Sequence, residues 1–194
     1  MQSEIVYNRY MDLFSSMPVE YINALSFPFS WIVVFCATTL GTITIVATVL
    51  YIFLRPIKEV GVFAPLEILS DRVHDFFAIG ITTFGAYIAS VFLKNLFAVP
   101  RPFLVDPSIH ALIQETDFSF PSGHATTFMA LAVILFSINH KAGKLAFIAA
   151  LIIGIARIFA GVHTPLDILA GYVLGGTFAL IASHIFKILS AKKN

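Results

Sequence analysis

At 194 residues the chain has the length of one domain, 1–194. With 58% hydrophobic and only 12% charged residues and a mean hydropathy of +0.90, it lacks half of the roughly 25% charge of a soluble domain. Its surroundings are therefore lipid. A net charge of +1 gives no support to a nucleic-acid partner, and the lone Cys36 permits neither a disulfide nor a cysteine-rich metal site.

Residues 1–30 mix Met11, Leu13, Phe14, Tyr21 and Ile22 with polar groups and are broken by Pro18 and Pro28, the pattern of an N-terminal interfacial helix. Glu4 and Asp12 flank the lone Arg9, and no short apolar core with a cleavage site follows, so the start does not read as a secretory signal. Five segments then have the length and apolarity of membrane spans: Trp31–Leu54, Phe76–Leu93, Ser122–Ile138, Leu145–Val162 and Ile168–Phe186. The expected fold is an all-α polytopic bundle of about five transmembrane helices. Arg55, Lys58 and Arg72 follow the first span, Lys141 and Lys144 the third, and Lys187, Lys192 and Lys193 the last. The positive-inside rule puts these in the cytoplasm and the 100–121 loop outside.

Ionisable residues inside or at the ends of such spans are costly, and three clusters stand out. Lys94 and Arg101, seven residues apart, fall on one helix face at the outer end of the second span, before Pro100 and Pro102 stop it. By themselves they are equally a pair that snorkels to lipid headgroups. Pro121 is read as the first helical residue of the third span, with Ser122, Gly123 and His124 in its first turn, where unpaired amides point at any anion. Alone, this is equally a plain helix start.

In the third cluster Thr164 caps the fifth span ahead of Pro165, leaving Asp167 in the first turn and able to accept the ring N–H of His163. That carboxylate fixes the tautomer and leaves the other ring nitrogen free as a nucleophile. Arg157, six residues before His163 in an apolar helix, wants an oxyanion; the bland alternative pairs it with Asp167. Lys94, Arg101 and Arg157 around helix amides describe a site for a tetrahedral oxyanion, and stabilising such charge is most of phosphoryl-transfer catalysis.

These residues resemble the type 2 phosphatidic acid phosphatase superfamily, whose motifs run Lys-x6-Arg-Pro, Pro-Ser-Gly-His and Ser-Arg-x5-His-x3-Asp. Lys94…Arg101-Pro102, Pro121-Ser122-Gly123-His124 and Arg157…His163…Asp167 match them, and the resemblance covers a catalytic core of about 75–185. It implies that His163 attacks phosphorus and becomes phosphorylated, that Asp167 orients it, and that His124 protonates the leaving oxygen. Lys94, Arg101, Ser122, Gly123 and Arg157 hold the phosphoryl oxygens, with no metal and no cofactor. Ala156 departs from the pattern, standing where the family usually has a serine that adds a phosphate hydrogen bond.

The implied substrate is a lipid phosphate or diphosphate met in the membrane. The small bacterial members of the family point to undecaprenyl diphosphate in the bacterial cytoplasmic membrane, and the placement of Lys and Arg to a site on its outer face. Phosphatidylglycerol phosphate, phosphatidic acid, the phosphates of lipid A, and phosphotransfer remain open; haloperoxidase chemistry on the same fold is a formal rival, against which the five apolar spans argue. The non-enzyme rival is an anion transporter, which would place its charges near the midplane. Asp106, Glu115 and Asp117 in the 103–120 loop are expected to disfavour strongly anionic headgroups.

Overall fold

The computed structural model describes residues 27–55 and 64–191, all of whose regular elements are helical. The interfacial helix expected over 1–30 lies outside them, apart from a 3₁₀ turn at Phe27–Phe29. Helix α1 is Ser30–Leu54, α2 Ala64–Phe97, α3 the single turn Pro102–Val105, α4 Gly123–Ile138, α5 His140–Phe159 and α6 Pro165–Ala191. Among the described residues four segments, Ser30–Leu54, Leu69–Val105, His140–Phe159 and Pro165–Leu189, are long and apolar enough to cross a membrane; α4 is shorter. Their outer faces keep Trp31, Phe84, Phe92, Leu145 and Val173 exposed. Apolar exposure on this scale marks a lipid-facing surface.

The shortest of these apolar helices is the centre. Of the 16 residues of α4, nine are buried, among them Phe128, Met129, Leu131, Ile134 and Leu135, and the helix packs against α6, α5 and α2. Lipid gives no hydrophobic drive for helices to associate, so close van der Waals fit has to supply it. Gly171 and Gly175, one turn apart on α6, provide it. A Cβ on Gly175 would come within 2.1 Å of the Thr126 carbonyl oxygen, and one on Gly171 within 2.7 Å of the Ser122 carbonyl oxygen. The two backbones touch there, which ties the second and third turns of α6 to the start of α4. Tyr172 adds a tie to α5, donating to the carbonyl of Ala150 at 2.9 Å across the space left by Gly154.

The helices run past the spans read from sequence. Charge limits how deep a residue sits in a bilayer, not how far a helix extends, so α2 continues back through Asp75, Arg72 and Asp71 to Ala64. Arg72, expected in a connection, lies inside α2 and donates to the carbonyls of Phe53 and Arg55 at the otherwise unsatisfied end of α1. Arg55 pairs with Asp75 at 2.8 Å. Only Asn139 separates α4 from α5; its carboxamide oxygen caps α5 by accepting from the amides of Lys141 and Ala142, both at 3.0 Å. Lys141 and Lys144 are thus helical residues rather than parts of a loop.

The glycine crossing generates a prediction. Gly175→Ala should destabilise the protein by about 1–3 kcal/mol, the cost of overpacking, and so lower its thermal midpoint in detergent. Gly80→Ala, where a Cβ meets nothing within 4 Å, should leave the midpoint unchanged or raise it, as alanine is the better helix former by about 0.5–1 kcal/mol. Thermal unfolding of the two variants beside the parent checks the contrast.

Candidate active site

All eight residues singled out by the motifs come together at one end of the bundle, but not always by the expected route. Helix α2 ends at Phe97, and Ala98 takes the left-handed conformation with φ 48°. The chain then runs extended to Arg101, the N-cap of α3. Lys94 and Arg101 therefore do not share a helix face; the turn at Ala98 brings them to the same partner, Asp117. Similarly, α4 starts at Gly123 with Ser122 as its N-cap, the Ser122 hydroxyl accepting from the Ala125 amide at 3.4 Å. Pro121 stands just before the helix rather than at its first position. A Cβ on Gly123 would stand in ordinary van der Waals contact with Ser90 Oγ at 3.5 Å and with Lys94 and Tyr87 at 3.9 Å, so packing alone does not require glycine there.

Helix α5 ends in a Schellman turn: Val162 N–H donates to the Arg157 carbonyl at 3.4 Å and Gly161 N–H to that of Ile158 at 2.9 Å, with Gly161 at φ 74°. This turn carries His163 back toward Arg101. Thr164 and Asp167 then cap α6 reciprocally: Asp167 N–H donates to Thr164 Oγ1 at 3.3 Å and Thr164 N–H to Asp167 Oδ2 at 2.7 Å. The Asp167 carbonyl accepts from Ser122 N–H at 3.0 Å, joining the second and third motifs directly.

His163 and Asp167 are both buried, with His163 Nδ1 3.4 Å from Asp167 Oδ2. Ser119, which no motif marked, donates to the same Oδ2 at 2.7 Å and lies 3.4 Å from Nδ1. The other ring nitrogen, Nε2, faces Arg101 Nη1 at 3.4 Å. A proton on Nδ1 thus leaves the Nε2 lone pair directed into the cationic cluster. Burial, reinforced by the charges of Arg157 and Arg101, outweighs Asp167 and holds the His163 pKa at about 3, so the ring is neutral at physiological pH. His124 is half-buried, within electrostatic reach of Arg157, Glu115, Lys94 and Arg101. It also lines a cleft of about 240 Å³ with Thr38, Gly41, Tyr87 and Phe128. The π-helical turn Phe35–Thr39 in α1 brings Thr38 to that cleft.

The cations pair with oxygens of the 103–120 loop and its neighbours. Arg101, 1% exposed, donates through Nε to the Asp117 carbonyl and through Nη1 to that of Val162, both at 2.9 Å. Its Nη2 meets Glu115 Oε2 at 3.3 Å and Asp117 Oδ1. Lys94 lies 2.9 Å from Asp117 Oδ2 and donates to the Phe118 carbonyl. Arg157 pairs through Nη2 with Glu115 Oε1, not with Asp167, and its buried Nε has no hydrogen-bond partner. Asp106, grouped with these acids in the sequence, turns away and accepts from the amide and hydroxyl of Ser108 at 2.9 and 2.6 Å. Ala156 packs on Ala37, Ala160 and Val162 in an apolar cluster.

Sequence reasoning missed Ser119 and the inward role of Glu115 and Asp117. The two acids had a usable signal: three cations inside an apolar chain require counter-anions, and the loop between their motifs is where acids were available. Ser119 had none. Partial burial raises the Asp117 carboxyl, but hydrogen bonds and charge from Lys94 and Arg101 prevail and hold it at about 2; Glu115 is likewise lowered, burial being outweighed by Arg157 and Arg101.

A multi-pass helical bundle with a cationic, histidine-bearing site at one end is the class that fold and site define. The chain belongs to the PAP2 superfamily, whose model matches residues 75–190. It is similar to the protein named bacitracin transport permease protein BcrC of Bacillus licheniformis, 38% identical over 49% of this chain and 47% of that one. It also matches the undecaprenyl-diphosphatase BcrC of Bacillus subtilis, 33% identical over 60% of this chain and 58% of the relative. The chain spans about half the length of the curated relatives it matches. Among solved structures, Aquifex aeolicus LpxE superposes with a TM-score of 0.64 at 21% identity, covering 84% of this chain and 91% of that one, a likeness of fold.

The depressed Asp117 pKa predicts a pH dependence. A carboxyl lowered from 3.8 to about 2 contributes stability that is full above its unfolded value and is lost as pH falls through the folded one. Between pH 4 and pH 2 the parent should therefore lose more of its thermal midpoint than Asp117→Asn does, measured side by side in the same detergent.

Proposed function

We propose that the chain is a membrane lipid phosphatase that hydrolyses a terminal phosphate or diphosphate group through a phosphohistidine. The observation that carries this reading is His163, backed by Asp167 at 3.4 Å and turning its other ring nitrogen toward Arg101 among three cations. In the proposed reaction His163 Nε2 attacks phosphorus and the bond to the leaving oxygen breaks. Lys94, Arg101, Arg157, the hydroxyl of Ser122 and the amide of Gly123 hold the phosphoryl oxygens, and His124 gives its proton to the leaving oxygen. His124 then takes a proton from water as that water attacks phosphorus and breaks the P–N bond, releasing phosphate. Neither half-reaction is assigned a metal, because each charge that must be stabilised already faces a cation or an amide.

Undecaprenyl diphosphate is the favoured substrate, supported by the name of the Bacillus subtilis relative and by an apolar bundle whose site end opens beside a cleft at His124. The favoured location is the bacterial cytoplasmic membrane with the site facing outward. This rests on Arg55, Arg72, Lys141 and Lys144, which sit at the end of the bundle opposite the site. The relative named as a transport permease favours a second reading, anion transport. Against it, the site residues stand at helix ends: Lys94 in the last turn of α2, Arg157 in the last turn of α5 and Asp167 in the first of α6. A transporter holds such charges on broken helices near the midplane.

His163→Ala should abolish phosphate release from lipid substrates while leaving the protein folded in detergent, and His124→Ala should lose about 10²–10⁴-fold. Parent-like turnover by His163→Ala would remove the mechanism. Activity should survive EDTA and be inhibited by vanadate; loss in EDTA with recovery in Mg²⁺ would count against the metal-free assignment. On a panel of undecaprenyl diphosphate, phosphatidylglycerol phosphate, phosphatidic acid and lipid A, the first should give the highest kcat/KM. A ranking about tenfold or more below another lipid would overturn the substrate and leave the reaction class standing.

A further inference from the structure

The site described above already holds an anion of the protein's own. Glu115 reaches in from the loop with one carboxylate oxygen on Arg157 and the other on Arg101, while Asp117 joins Arg101 to Lys94. A carboxylate offers two oxygens and one negative charge, and its placement leaves one donor over: Nε of Arg157 is buried and has no partner. Unpaired buried donors are costly, so this arrangement satisfies the cluster incompletely. A terminal phosphoryl group offers three free oxygens and a charge of about −1.5 to −2 at neutral pH. A phosphodiester offers two free oxygens and one charge, the same as the carboxylate it would have to displace.

Resting on the phosphatase reading, we infer that Glu115 is a specificity-determining residue: a resident counter-anion that every incoming anion must displace, and that a singly charged phosphodiester cannot. Any anion's apparent affinity is reduced by the fraction of sites that Glu115 leaves open. Strong ligands tolerate that reduction and weak ones drop out of range. The consequence matters in a bilayer, where the bulk headgroups are phosphodiesters and would otherwise occupy the three cations. Asp117 keeps Lys94 and Arg101 together beneath the loop; half-exposed, it yields more readily than Glu115, which is 22% exposed.

The test is ligand-dependent thermal stabilisation of the detergent-solubilised protein at neutral pH, with inorganic phosphate and dimethyl phosphate as probes. Neither readout needs turnover. The parent should be stabilised by inorganic phosphate and not by dimethyl phosphate. Glu115→Gln should bind phosphate at least about tenfold more tightly and should now be stabilised by dimethyl phosphate as well. Asp117→Asn, at a half-exposed position, should shift both affinities in the same direction by a smaller factor, and decides the matter if Glu115→Gln fails to fold. Phosphate stabilising parent and variants alike, with affinities within about threefold, overturns the inference alone. Phosphate stabilising none of them overturns both this inference and the reading beneath it.

Discussion

Burying the Arg101 guanidinium is the constraint on which the site depends. It is 1% exposed and uses all three of its nitrogens: two backbone carbonyls, two loop carboxylates and the ring of His163 surround it. A buried, unpaired cation would destabilise the chain strongly. The groups that satisfy Arg101 therefore cannot drift, and they come from separate parts of the sequence: Glu115 and Asp117 from the loop before α4, and Val162 and His163 from the turn before α6. One side chain thus ties the first motif to the loop that precedes the second and to the turn that carries the third. The planar fork of arginine suits this task because it reaches several acceptors from one rigid group.

The rest of the bundle works to the same end. The backbone contact at Gly171 and Gly175 sets the second and third turns of α6 against the start of α4, and the bond from Ser122 N–H to the Asp167 carbonyl locks that register. Asp167 serves two purposes with one oxygen, completing the cap of α6 and standing behind His163. A helix start is a stiff place to anchor a carboxylate, since its amide partners are fixed by the helix itself. The histidine, by contrast, sits on an irregular turn whose shape follows from Gly161 at positive φ.

Much of this was legible in the sequence, for reasons that can be named. Composition settled the solvent, and the cost of Lys94, Arg101 and Arg157 in apolar surroundings marked the site. Thr164, Pro165 and Asp167 announced the start of α6 because capping is a local matter of spacing. What escaped was set by tertiary structure. Pro100 and Pro102 marked the end of α2, but nothing in the sequence marked the left-handed turn at Ala98 that moved Arg101 off the helix. The extension of α2 through Asp71, Arg72 and Asp75 was hidden because charges were read as the end of a helix. They mark only where it leaves the apolar layer, and here they are answered by Arg55 and by the carbonyls ending α1. Ser119 lies in the sequence like any loop serine, and only the fold brings it to Asp167.

The shortness of α4 has a consequence for the membrane itself. Sixteen residues make a helix of about 24 Å, whereas the hydrocarbon layer is about 30 Å thick. Its two ends, Ser122 and Asn139, cannot both reach the interfaces of an undeformed bilayer, so polar groups at one or both ends lie beneath the surrounding lipid surface. Because α4 is enclosed by the longer helices α2, α5 and α6, its sunken end forms the floor of a well within the bundle rather than a mismatch with the lipid itself. Acyl-chain length in the host membrane therefore acts on the site mechanically. Thicker bilayers deepen the well that an incoming headgroup must enter, and thinner ones bring the floor of the site up to meet it.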